Sequence, residues 1–240
     1  MQYDNGKSFH ELIGSLLVPG KVTILAITGQ AGAGKSNHVA PLVLMEAQQQ
    51  GYDAAHLVLD SFFKLSSRQR KAWLEKGERL GDEEAAFRKD QLNWWDFTAA
   101  EASLAQLMRG QPLHLDRVYN RADGGELTGE VHIDPSVAAN GMLIVFDGVA
   151  TAHLKFIDKV MFVYADPLVR LERLQQRDRH RQGQEVLQRF ELTEAFELQY
   201  FSQYWDRIDL LVSNNVDNPR VLQMADLEIV LSPDHLLAPC

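Results

Sequence analysis

One short segment limits what this chain can fold into. Gly29-Gln-Ala-Gly-Ala-Gly34-Lys35-Ser36 fits the spacing G-x-x-x-x-G-K-[ST] at every fixed position. Residues 22–28 (VTILAIT) precede it as a β-branched, mostly apolar run, and a helical pattern over 35–50 follows. The chemistry explains the spacing. Glycines let consecutive backbone N–H groups curl around an anion without Cβ clashes. The helix that starts there adds the positive end of its dipole. Strand, glycine turn and helix together predict an α/β fold in which Gly29, Ala31, Gly32, Ala33, Gly34, Lys35, Ser36 and Asn37 wrap the phosphates of a nucleotide. Lys35 would stand at the β- and γ-phosphates, and the Ser36 hydroxyl at Mg²⁺.

The rest of the chain agrees with that class. Buried apolar runs at 56–60, 142–146, 159–165 and 208–212 alternate with helical patterns at 97–109, 167–178 and 185–205. Such alternation predicts a mostly parallel sheet, here of five strands. Residues 8–17 place Phe9, Leu12, Ile13, Leu16 and Leu17 on one face of a further helix. Residues 65–95 are polar and charged with two short helical patterns. Residues 112–134 read as a β-excursion around a turn at 122–125. The length of 240 residues suits one domain, with its core over about 22–213 and an inserted, substrate-side region over about 61–135.

Composition narrows the partners. The chain carries 24 Lys+Arg against 33 Asp+Glu, a formal net charge of -9. That balance argues against a nucleic-acid-coating protein. No run approaches the roughly 18 apolar residues of a membrane helix, and the N-terminus lacks the basic and apolar regions of a leader. The single cysteine, Cys240, permits no intrachain disulfide and no cysteine metal cluster. A cytoplasmic protein without nucleic-acid or membrane partners is expected.

Two apolar strands end in an acid, at Asp60 and Asp147. Ligands of open α/β sheets sit beyond the carboxyl ends of the strands, so both acids should face the γ-phosphate. Asp147 reads as the Mg²⁺-side acid, acting through water. Asp60 reads as the base that takes the proton of an attacking hydroxyl. The pattern also allows the exchange of these two roles. Arg170, Arg173 and Arg177 share a helix face at i, i+3 and i+7, and Arg179 and Arg181 follow. A closing, arginine-bearing lid over about 170–185 would neutralise charge on a transferring phosphoryl group. Trp94 and Trp95 suit either a substrate pocket or the core. Tyr119 and Arg121 border the glycine turn and suit either substrate contact or a plain hairpin tip.

These residues resemble the uridine kinase / phosphoribulokinase family of P-loop kinases over about 22–213. The resemblance rests on the loop at 29–36, on Asp60-Ser-Phe-Phe-Lys64, on Asp147-Gly148, and on Arg170-Leu-Glu-Arg173 leading to Arg177-Asp178 and Gly183. It implies a P-loop NTPase fold, three-layer α/β/α with a helical lid. The implied activity is ATP·Mg²⁺-dependent phosphorylation of a hydroxyl on a small molecule, with self-association as in relatives. It places the catalytic base on Asp60, the lid arginine on Arg173, a substrate acid on Asp90 and a pocket tyrosine on Tyr119. Lys64, Arg121, Arg173 and Arg177 join the substrate side. Asn120, Gly124, Asp147, Gln182 and the segment Lys89-Asp90-Gln91-Leu92 depart from the uridine-kinase pattern, which argues for an acceptor other than uridine. A GTP-hydrolysing switch is the competing class. It lacks support, because Asn214-Asn215-Val216-Asp217 has no lysine at the guanine-reading position and no D-x-x-G follows the second or third strand. A nucleotide-binding scaffold without catalysis is the third class, against which Lys35, Ser36, Asp60 and Asp147 all stand intact.

Overall fold

The computed structural model describes residues 8–177, 184–215 and 219–223. Its centre is a six-stranded sheet in the order β2-β5-β1-β6-β7-β8. The strands are β1 (Val22–Gly29), β2 (Asp53–Val58), β5 (Met142–Asp147), β6 (Lys159–Tyr164), β7 (Leu210–Ser213) and β8 (Arg220–Leu222). The first five are parallel to their neighbours, and β8 adds antiparallel to β7. The sheet therefore has one strand more than the five expected. The extra strand is three residues long and carries no apolar run of its own. Its Val221 and Leu222 are buried because β7 supplies a free edge beside the core.

Apolar runs become strands here because both sheet faces are covered. On one face Ile24, Ala26, Ile144, Phe146, Val160 and Phe162 pack in a single cluster with Leu104, Leu107 and Phe201. These last belong to α5 (Phe97–Met108) and α7 (Gln184–Tyr204). On the other face Leu25, Ile27, Leu143, Val145, Met161 and Val163 pack with Leu12 and Ile13 of α1 (Phe9–Gly14) and with Val43 and Ala47 of α2 (Ala40–Gln49). Period-2 alternation along each strand divides its side chains between the two layers. This is the expected three-layer α/β/α arrangement. A capping box of Ser8 and Glu11 starts α1. Among the described residues no helix is long and apolar enough to cross a membrane.

The region over about 61–135, expected on the substrate side, adds further helices and a hairpin. Two of its helices, α3 (Ser67–Leu80) and α4 (Asp82–Lys89), match the two short helical patterns. The β-excursion is an antiparallel hairpin of β3 (Leu113–Asn120) and β4 (Glu126–Ile133). Its register shifts between Asp116 and Val118 and again between Val118 and Tyr119, with Arg117 in the left-handed region at φ 59°. Such bulges re-aim the side chains that follow, and Tyr119 and Arg121 are those side chains here. The helix expected over 167–178 is α6 (Pro167–Arg177). The remaining lid residues Asp178, Arg179, Arg181, Gln182 and Gly183 lie outside the described residues.

Candidate active site

The glycine loop leaves β1 with three left-handed glycines: Gly29 at φ 136°, Gly32 at 81° and Gly34 at 85°. Each also meets a neighbour too closely for a Cβ. Gly29 abuts the Val163 carbonyl, Gly32 the Arg170 backbone and Gly34 the Asn214 amide. The chain then enters one π-helical turn, Lys35–Val39, before α2. Ser36 and Asn37 are exposed on that turn. Lys35 folds back, its Nζ donating to the Gly29 carbonyl at 2.7 Å and to that of Gln30 at 2.9 Å. Burial lowers its pKa, and the charges of Glu197 and Asp147 partly restore it. Ala33 is buried, and its carbonyl accepts from Asn214 Nδ2 at 2.7 Å and from Arg173 Nη1 at 3.4 Å.

Asp147 ends β5, in register with Ile27 of β1 and Val58 of β2. Its carboxylate is 2% exposed, and Oδ2 has no hydrogen-bond partner. The other oxygen lies 3.5 Å from His56 Nε2, which is likewise buried and unbonded. Buried carboxylate oxygens are costly unless something satisfies them. A hydrated cation beside the loop would do so, so the residues present fit Mg²⁺. Among the described residues no cluster of three His, Cys, Asp or Glu side chains could hold a metal alone. That suits an ion bound through one or two protein groups plus phosphates and water.

Asp60 sits two residues past the end of β2, on the turn Leu59–Phe62, rather than at the strand end itself. The chain turns early because Leu59 enters the core, where Gly148 leaves room for its Cβ. Burial raises the Asp60 pKa, and Arg121, whose Nη2 lies 3.1 Å from Oδ2, opposes the rise. Tyr119 stands beside this pair, its hydroxyl 3.0 Å from Ser67 Oγ and its ring edge-on to Phe63 at 5.0 Å. Lys64 is exposed, with Nζ donating to the Asn93 carbonyl at 3.2 Å. Asp90 is exposed and caps the turn Gln91–Asn93 by accepting from Leu92 N–H at 3.0 Å. The tryptophans divide: Trp95 is buried in the core, and Trp94 lines a cavity next to Lys64.

The arginine face expected over 170–177 is corrected. Arg170 is fully buried and paired with Glu194 at 2.5 Å and, more loosely, with Glu197 at 3.9 Å. Arg173 is half-buried against the loop, and Arg177 at the end of α6 is exposed. The arginine face is thus buried at Arg170, half-buried at Arg173 and exposed at Arg177.

Four further residues stand at this edge to which the sequence reading gave no role. Glu197 of α7 is fully buried, and its Oε1 accepts the Ala31 N–H at 2.7 Å. Burial pushes its pKa up to about 7 against the pull of Lys35 and Arg170. Asn214 closes over the loop and also meets His38 Nδ1 at 2.6 Å. Arg70 of α3 stacks over Phe63, and His56 faces Asp147. Asn214 follows an apolar strand directly, which is the one local signal among them.

A glycine loop at the end of β1, with one acid ending β5 and another on the turn after β2, defines the nucleotide-binding edge of a P-loop kinase fold. The chain matches the family model "Phosphoribulokinase / Uridine kinase family" over residues 24–208 and belongs to that family. Solved structures share the fold at low identity. D-glycerate 3-kinase from Cryptococcus neoformans is 13% identical, with 89% of this chain and 95% of that one covered and a TM-score of 0.57. Phosphoribulokinase from Rhodobacter spheroides is 12% identical over 80% and 70%, with a TM-score of 0.58. A possible uridine kinase from Bacillus stearothermophilus is 17% identical over 84% and 94%, with a TM-score of 0.57. No curated protein matches the chain significantly. Family membership supports a small-molecule kinase, and kinases of this family generally work on ATP with Mg²⁺.

Proposed function

We propose that this chain transfers the γ-phosphoryl group of ATP to a hydroxyl of a small metabolite other than uridine. The observation that carries the reading is the convergence of three groups on one sheet edge. These are Lys35 on the loop, the unpartnered buried oxygen of Asp147, and Asp60 with its raised pKa.

Residues 29–37 wrap the phosphates with backbone N–H groups. Lys35 leaves the loop carbonyls and follows the charge that develops on the transferring group. Asp147 and Ser36 would hold Mg²⁺, which would supply positive charge to offset that of the nucleotide's phosphates. Asp60 accepts the proton of the acceptor hydroxyl as the new O–P bond forms and the bond to ADP breaks. Its raised pKa makes it a stronger base than an ordinary aspartate, and Arg121 keeps it charged beforehand. Arg173 stands next to the loop at Ala33 and faces the same phosphates. Arg177, Tyr119, Lys64 and Asp90 complete the substrate side, with the capping of 91–93 leaving Asp90 the least free of them.

The test is ADP release from ATP·Mg²⁺ across a panel of sugars, sugar phosphates, nucleosides and hydroxy acids. Acceptor-dependent release with phosphate on the acceptor is expected. ATP binding with no stimulation by any acceptor would contradict the reading.

A further inference from the structure

Three glycines shape the phosphate loop, and the walls behind them differ in kind. Gly29 lies against the backbone of Val163 and Gly32 against that of Arg170, but Gly34 lies against a side chain, the amide of Asn214. A Cβ at Gly34 would stand 2.3 Å from Asn214 Nδ2. Asn214 directly follows β7, and its own N–H donates to the Tyr164 carbonyl at 2.8 Å. Its side chain is fully buried, which is unusual for an asparagine, and both ends of the amide have partners. Nδ2 donates to the Ala33 carbonyl at 2.7 Å, and Oδ1 lies 2.6 Å from His38 Nδ1. A carbonyl can only accept, so Nδ2 is the end that faces the loop. Oδ1 then faces His38, whose proton must sit on Nδ1 for the contact to be a hydrogen bond.

The consequence lies across the peptide plane. In a trans peptide the carbonyl and the following N–H point in opposite directions. Holding the Ala33 carbonyl towards Asn214 therefore turns the Gly34 N–H the other way. Among the described residues that N–H donates to no protein acceptor. Gly34 sits at φ 85°, and a glycine has little conformational preference of its own to keep the plane from turning over. The hold has to come from outside the loop. Arg173 Nη1 reaches the same carbonyl only at 3.4 Å, beyond the usual range of an N–H···O bond. We infer that Asn214 is a positioning residue for nucleotide binding: it pins the Ala33 carbonyl so that the Gly34 N–H is presented to the phosphates, and His38 pins Asn214 in turn. The inference rests on the nucleotide-loop part of the proposed function and not on phosphoryl transfer.

The experiment is isothermal titration with ATP·Mg²⁺ and, separately, with inorganic tripolyphosphate and Mg²⁺. The proteins are the wild type, Asn214→Asp, Asn214→Leu, His38→Ala and His38→Asn. Asn214→Asp puts an oxygen where the donor stood and repels the Ala33 carbonyl. Its Kd should rise thirtyfold or more, by a similar factor for both ligands, because the defect lies at the phosphates. Asn214→Leu should lose at least tenfold. His38→Ala should lose three- to tenfold, and His38→Asn, whose amide N–H can stand in for Nδ1, should come within twofold of the wild type. His38 is half-buried on the turn 35–39, so this pair carries the test if the Asn214 variants do not fold. Urea unfolding of each variant separates affinity from stability. Lowered urea midpoints with unchanged Kd values would overturn the inference and leave Asn214 as packing. Weaker ATP binding with unchanged tripolyphosphate binding would also overturn it, since Asn214 would then act on the base or ribose. A wild-type protein that binds neither ligand would remove the loop reading and this inference together. ATP binding without turnover of any acceptor would remove the kinase reading alone, and the variant series would still decide the role of Asn214.

Discussion

Glu197 takes the Ala31 N–H, one of the donors the glycine loop offers to phosphate. Its pKa of about 7 makes that competition dependent on pH. Above pH 7 the carboxylate is charged and repels phosphate. Below it the group is neutral and the repulsion fades. Glu197→Gln keeps an acceptor oxygen for Ala31 and removes the charge. It should bind ATP several-fold more tightly than the wild type at pH 8, with the difference closing by pH 6, as read by nucleotide titration. Linkage gives the stability effect the same direction. A carboxyl whose folded pKa lies above its unfolded value of 4.5 binds more protons in the folded state between 4.5 and 7. Stability is therefore lost as pH rises through that window. The urea midpoint of Glu197→Gln should gain on the wild type from pH 5 to pH 8, and a constant difference would contradict the assignment. Lys35, Ser36, Asp60 and Asp147 could be read from the sequence because each sits at a fixed offset from a strand or a glycine. Glu197 and Arg70 could not, because both lie in charged helical stretches that look like solvated faces. Only the packing of α7 and α3 buries Glu197 and half-buries Arg70.

Among the elements, the loop and α6 depend on each other. A Cβ at Gly32 would lie 2.5 Å from the Arg170 carbonyl, at φ 81°. Gly32→Ala should cost about 2 kcal/mol, the order of a left-handed penalty with a backbone clash, and weaken ATP binding with it. Wild-type nucleotide affinity in this variant would contradict the close packing. Arg170 is the only described arginine with no exposure at all, and it sits between Glu194 and Glu197. Arg170→Met takes from two buried carboxylates the cation they share. A loss of about 3–5 kcal/mol is expected in urea unfolding, against near zero if the arginine were a lid side chain. The i, i+3, i+7 spacing was legible as a shared face. Whether that face met solvent or core was not, since the answer depends on Glu194 and Glu197 of α7, which pair with Arg170.

At the scale of the whole molecule, five of the six sheet strands were legible as apolar runs, because parallel strands buried on both faces have no polar side to show. The sixth, β8, is Arg220–Leu222, too short for a period and recognisable only through its pairing with β7. It covers an edge of the sheet. Leu222→Asp would place a charge where the side chain is 1% exposed. The melting temperature should fall with a loss of about 3 kcal/mol or more. Equal stability would show that β8 contributes nothing to the core. The account's central claim is that the sheet edge carries a kinase centre with Asp60 as its base. It is tested most directly by a single-turnover comparison of wild type and Asp60→Asn with the acceptor that the panel identifies. The prediction is a transfer rate at least a hundredfold lower in Asp60→Asn, the order expected for a general base, with ATP affinity unchanged. A transfer rate near that of the wild type would contradict it and move the base to another residue.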